Sequence, residues 1–144
     1  MPRASIWLVR TALLHLGVSA TFGAALLWDK GAHAWGALWR LRPVHVELTL
    51  LGWLLQLAMG VAFWILPRLR VDGRPTRGRE RLIWWSYGLL NAGLAAVVAA
   101  TLLAAGPRQA AGVALGRLAE AAAVALFAWH AWPRVRGAGV GGRR

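Results

Sequence analysis

The sequence predicts an all-α integral membrane protein, a four-helix up-down bundle. Three observations carry this prediction. Of 144 residues, 58% are apolar and only 15% charged, against about 25% charged in an ordinary soluble domain. The apolar residues gather into four stretches of about 20 residues, the number that crosses a hydrocarbon layer about 30 Å thick at about 1.5 Å per residue. Short connections join the stretches, which makes successive helices antiparallel neighbours.

The first span is read from Ile6 to Leu27, the second from Val44 to Leu66, the third from Leu82 to Leu103 and the fourth from Ala110 to Trp132. Leu, Ala and Val dominate and turn formers are few, so each stretch favours helix. A β-barrel would need alternating segments of about ten residues. Arg3 and Arg10 beside an apolar run also occur in signal peptides. This run is long, lacks a small-x-small cleavage site and precedes three more spans, so it is expected to remain a permanent helix. Trp28 to Pro43 and Pro67 to Arg81 form the first two connections. Ala104 to Gln109, with Gly106-Pro107, makes a tight third turn. One transmembrane domain over residues 1–136 is expected. Residues 137–144, with Gly137, Gly139, Gly141 and Gly142, read as a flexible basic tail, and the disordered composition begins at Pro133.

The net charge of +12 first suggests nucleic acid, but its distribution points to topology. Two arginines lie in the N-terminal segment (Arg3, Arg10), six in the second connection (Arg68 to Arg81) and four on the tail (Arg134 to Arg144). Four spans bring these regions to one face. Lys30, Arg40, Arg42 and Arg108 fall on the other, and Arg117 lies within the fourth span. The positive-inside rule then puts both termini in the cytoplasm of a cell with this chain in its inner (plasma) membrane. Contact with a lipid bilayer is expected and nucleic-acid binding is not. Nine of the ten tryptophans lie near predicted span ends, where amphipathic rings settle among headgroups, and Trp53 is the exception. The absence of cysteine excludes disulfides, iron–sulfur clusters and covalent c-type haem.

The second span carries the chemical signal. Projected at about 100° per residue, Thr49, Gly52, Gln56, Gly60 and Phe63 fall within about 60° of His45. Lipid needs no such polar stripe, so it should face the bundle or a neighbouring subunit. Its glycines either admit another helix backbone or let a flat cofactor lie against this one. His45 is either an axial haem ligand, with its second ring nitrogen held by a hydrogen bond, or an interfacial histidine.

Arg42-Pro43-Val44-His45, Leu51-Gly52-Trp53, Gly60-Val61 and Pro67-Arg68 together resemble the second transmembrane helix of subunit I of the heme–copper oxidase superfamily. The likeness is nearest to the C-type oxidases, the nitric oxide reductase large subunit and short stand-alone relatives. It covers about Leu41 to Arg68. The resemblance implies that His45 ligates a b-type haem near the outer side of the membrane. It also implies that the bundle corresponds to one third of a twelve-helix subunit, so that a homotrimer reproduces the family's three arcs. Two departures stand out. Many short relatives have His-x-His where this chain has His45-Val46-Glu47, and Glu47 lies about 200° from His45 on the helix. With four histidines the chain has too few ligands for a haem–copper centre, so copper and a complete oxidase activity are not expected of it alone.

Candidate cofactor-binding residues are therefore His45 (haem iron), Gly52, Gln56, His15, Arg40 and Arg42. The arginines are either partners for haem propionates or ordinary juxtamembrane residues. His15 is either a second ligand or a core histidine bonded to Thr11. His33 reads as a solvated loop residue and His130 as an interfacial one. Arg117 and Glu120, one turn apart, read as an ion pair that fixes packing, or as a cofactor partner or proton path. Gly112-xxx-Gly116 and Gly88-xxx-Ala92 are close-packing motifs. No nucleophile with a base and no phosphate loop is present. The expected function is haem binding for electron transfer or gas-ligand binding. The alternative is a cofactor-free accessory subunit of a respiratory oxidase or nitric oxide reductase complex. A small transporter would need broken helices or an inverted repeat, and the sequence offers neither.

Overall fold

The computed structural model describes residues 1–71 and 74–136. Four helical spans dominate it. Helix α1 runs Arg3–Ala32. The second span is continuous from Gly36 to Ile65 but changes its winding along the way. A 3₁₀ turn, Gly36–Arg40, leads into α2, Leu41–Glu47. A π-helical stretch, Leu48–Leu55, then leads into α3, Gln56–Ile65. Helix α4 is Glu80–Leu103 and α5 is Gly106–Arg136. All four spans are long and apolar enough to cross a membrane.

The helices outrun the expected spans. The first connection is short because α1 continues to Ala32 and the 3₁₀ turn begins at Gly36. Asp29 organises this corner. Its carbonyl accepts from the N–H of His33, whose φ of 49° ends the helix in the left-handed region. Its carboxylate accepts from the N–H of Trp35 at 2.6 Å. At the other end α5 continues through Pro133 to Arg136, so the structured chain passes the expected onset of disorder. The tail 137–144 lies outside the described residues. The second connection contains an antiparallel pair, β1 (Leu69–Val71) and β2 (Arg74–Thr76), with Leu69 opposite Thr76. Asp72-Gly73 between them is the composition that tight hairpins favour, a signal the reading by hydropathy passed over.

Exposed tryptophans gather at both ends of the bundle. Trp28, Trp35 and Trp39 are exposed at one end; Trp7, Trp64, Trp84, Trp85, Trp129 and Trp132 are exposed at the other. Trp7 and Trp28 stand about 31 Å apart by helical rise, the thickness of the hydrocarbon layer.

Within a bilayer the hydrophobic effect does not drive helices together, so close approach must. Helices α4 and α5 achieve it through glycine. A Cβ on Gly93 would stand 2.7 Å from the carbonyl oxygen of Gly116, and one on Gly116 would stand 2.6 Å from Val97. A Cβ on Gly112 would stand 2.7 Å from that of Ala100. The Gly112-xxx-Gly116 motif therefore packs as expected. The Gly88-xxx-Ala92 spacing does not: both residues are exposed, and nothing lies within 4 Å of a Cβ on Gly88. The contact face of α4 is instead Ser86, Gly93, Val97 and Ala100, and Ser86 donates to the Ala123 carbonyl at 2.7 Å. Leucine at position 116 is expected to destabilise the protein by about 1–3 kcal/mol through overpacking, whereas leucine at 88 leaves it unchanged. Thermal midpoints of Gly116→Leu and Gly88→Leu in detergent test this, and equal midpoints would refute the packing assignment.

Candidate functional site

The polar stripe of the second span faces α1. Along α1, Ser5, Leu8, Ala12, His15, Ser19 and Gly23 recur at intervals of three and four and meet the stripe in order. Ser5 donates to the Gly60 carbonyl at 2.6 Å, and Leu8 and Val9 lie over Gly60. The His15 ring lies over Gly52, where a Cβ would stand 2.9 Å from it. Its Nδ1 contacts the Gly52 carbonyl at 3.1 Å. A carbonyl only accepts, so Nδ1 carries the hydrogen. Thr11, the expected partner of His15, bonds the Tyr87 hydroxyl of α4 at 3.0 Å instead. The glycines of the stripe thus admit side chains of α1.

His45 is held by the most complete network of the seam. Its Nδ1 donates to the Ser19 carbonyl at 2.8 Å. The Ser19 hydroxyl donates back to the His45 carbonyl at 3.0 Å, and Thr49 donates to the same carbonyl at 2.7 Å. The ring rests on Gly23, where a Cβ would stand 2.8 Å from Cε1. Because Nδ1 is a donor, Nε2 carries a lone pair, the form in which imidazole binds a metal. Among the described residues no hydrogen bond involves that nitrogen. Arg40 and Arg42, a few residues earlier, are exposed. His15 does not meet His45: its partner Gly52 lies about 10 Å further along the helix by helical rise.

Of the other residues singled out, Gln56 and His130 are interior. Gln56, just beyond the π-helical stretch, is wholly buried, and neither amide atom has a partner among the described residues. Such orphans are rare, as are π segments, which concentrate at functional positions. His33 is exposed at the end of α1. His130 is buried against Phe63, with ring centroids 5.6 Å apart. It sits under the second connection, against Gly78.

The fourth-span charges pair differently from expectation. Arg117 binds Glu47 of α2 at 3.1 Å rather than Glu120 on its own helix. Glu120 is buried beside Glu47 and one of its oxygens has no partner. Glu47, on the side of its helix away from His45, thus links the second and fourth spans. The Arg117 side chain is 63% exposed on the surface of the chain.

Sequence reading missed Ser19 and Gly23, the two α1 residues that hold His45. Their spacing, four and eight residues after His15, was the available signal.

Comparison of the chain with protein-family models, with curated proteins and with solved structures finds no match.

A double-mutant cycle tests the Glu47–Arg117 link. Glu47→Gln and Arg117→Leu, measured singly and together by thermal unfolding, are expected to couple by about 0.5–3 kcal/mol. Simple additivity would refute the pair.

Proposed function

We propose that the chain is a membrane haem-binding protein with His45 as an axial ligand through Nε2. The observation that carries this reading is the 2.8 Å contact of His45 Nδ1 with the Ser19 carbonyl, an acceptor that calls for the hydrogen on Nδ1, while no hydrogen bond among the described residues involves Nε2. Ligating histidines are commonly oriented by such a bond. The donor set therefore fits a haem iron. Arg40 and Arg42, exposed at the same end, offer charge-assisted hydrogen bonds to propionates. Gly52 and Gln56 support the seam from within, since His15 fills the space above Gly52 and Gln56 is wholly buried. When bound, a b-type haem supplies a one-electron couple or an open iron position for a gas. The resemblance of residues 41–68 to the second helix of heme–copper oxidase subunit I supports the same assignment. The arginine distribution supports both termini in the cytoplasm of a plasma-membrane protein.

A second axial ligand would come from outside the chain or stay absent, because His15 is engaged elsewhere on the seam. The exposed Arg117 favours assembly. A charge at span depth costs about 2.5–3.5 kcal/mol on insertion scales, and a neighbouring subunit relieves that cost by covering it. A homo-oligomer, a trimer by the family resemblance, meets this need. So does docking as an accessory subunit onto a larger respiratory oxidase or nitric oxide reductase.

The detergent-purified protein, expressed with ample haem, is expected to show a Soret band that shifts on dithionite reduction. His45→Ala is expected to abolish it. Gly23→Ala, whose methyl would displace the imidazole, is expected to weaken it. A colourless wild-type protein after haem reconstitution would sink the haem reading, and co-purification with a larger haem subunit would then favour the accessory one. Light scattering tests assembly: an oligomer is expected for the wild type and a smaller species for Arg117→Leu. A wild-type monomer at all concentrations would refute self-association.

A further inference from the structure

We propose that the end of the bundle carrying the N-terminus of α1 and the end of α5 holds a binding site for a phosphate-class anion, formed by Arg77, His130 and Arg134. Arg134 is 1% exposed, the largest of the fully buried side chains. Its guanidinium lies over the Phe63 ring, 5.3 Å from the centroid. Two of its nitrogens close the end of α3. Nε donates to the Pro67 carbonyl at 3.0 Å, and Nη2 donates to the carbonyls of Phe63 and Leu66 at 3.1 and 2.6 Å. A cation at a helix C-terminus also meets the negative end of the helix dipole. The third nitrogen, Nη1, has no acceptor.

Two further groups share this condition. His130, 6% exposed, packs beside the same Phe63 ring and over Gly78, and its Nε2 has no partner. Arg77, next to Gly78 in the chain, has a buried and unpartnered Nε. Three nitrogens from α5 and the second connection are thus cut off from solvent with nothing to bond among the described residues. Among the described residues no carboxylate lies within ion-pair distance of them. Unpaired buried polar nitrogens are costly, most of all on the two guanidinium cations. A multidentate anion removes that cost, and the planar guanidinium matches phosphate oxygens in particular. The adjoining surface of α5 carries an apolar groove lined by Ala125, Ala128, Trp129, Trp132 and Pro133. An acyl chain fits such a groove, so the phosphate is either free or the headgroup of a phospholipid.

The test uses the full chain in a sugar-headed detergent free of phosphate, followed by tryptophan fluorescence during heating. One arm adds inorganic phosphate at constant ionic strength, the other phosphatidylglycerol. The wild-type midpoint is expected to rise in at least one arm: phosphate alone identifies a free anion, the lipid alone a headgroup. Arg77→Gln, which caps no helix, is expected to weaken the apparent affinity at least tenfold. Arg79→Gln, an exposed neighbour, should titrate as the wild type does. If Arg77→Gln does not accumulate, His130→Gln is read against the same control. A wild type that responds to neither, or site variants that respond as Arg79→Gln does, would overturn the proposal.

Discussion

The constraint on which the rest of this structure depends is the absence of water from the bilayer interior. A polar side chain inside a span either finds a partner within the chain or carries a large desolvation cost. The first two spans answer it with a ladder. Ser5, His15 and Ser19 of α1 each bond a backbone carbonyl of the second span, and His45 bonds one of α1. Apart from Gln56, buried without a partner among the described residues, the polar stripe is therefore taken up by the contact between the spans rather than left to lipid.

Close approach makes the ladder geometrically possible. The glycines act in pairs with large neighbours: Gly23 with His45, Gly52 with His15, Gly60 with Leu8. Across α4 and α5 they act against backbone, with Gly93 and Gly116 so close that neither tolerates a side chain. The two helix pairs thus use glycine differently. One makes room for imidazoles, the other brings the two helix backbones together, where dispersion gains from the close approach.

Charge ties the pairs into one bundle. Glu47 reaches from α2 to Arg117 of α5, and Arg134 reaches from the end of α5 to the carbonyls that close α3. Each long cation spans a junction that apolar packing alone would leave loosely specified. The cost of burying Arg134 is offset by three carbonyl acceptors and the Phe63 ring. The two junctions lie toward opposite ends of the bundle, so together they restrain its tilt as well as its spacing.

Length, hydropathy and the placement of tryptophan determined by themselves that the chain forms four membrane-length helices, because crossing a fixed hydrocarbon thickness demands a fixed run of apolar residues. They also located the stripe around His45, because helical periodicity is a property of the chain alone. Which helix meets that stripe was decided only by the tertiary structure, since every span offers small and polar residues to its neighbours. The exchange of partners by Arg117 from Glu120 to Glu47, the engagement of Gly93 instead of Gly88, and the burial of Arg134 beyond Pro133 have the same origin. Each depends on the rotation of one helix against another, which packing sets and local sequence does not encode.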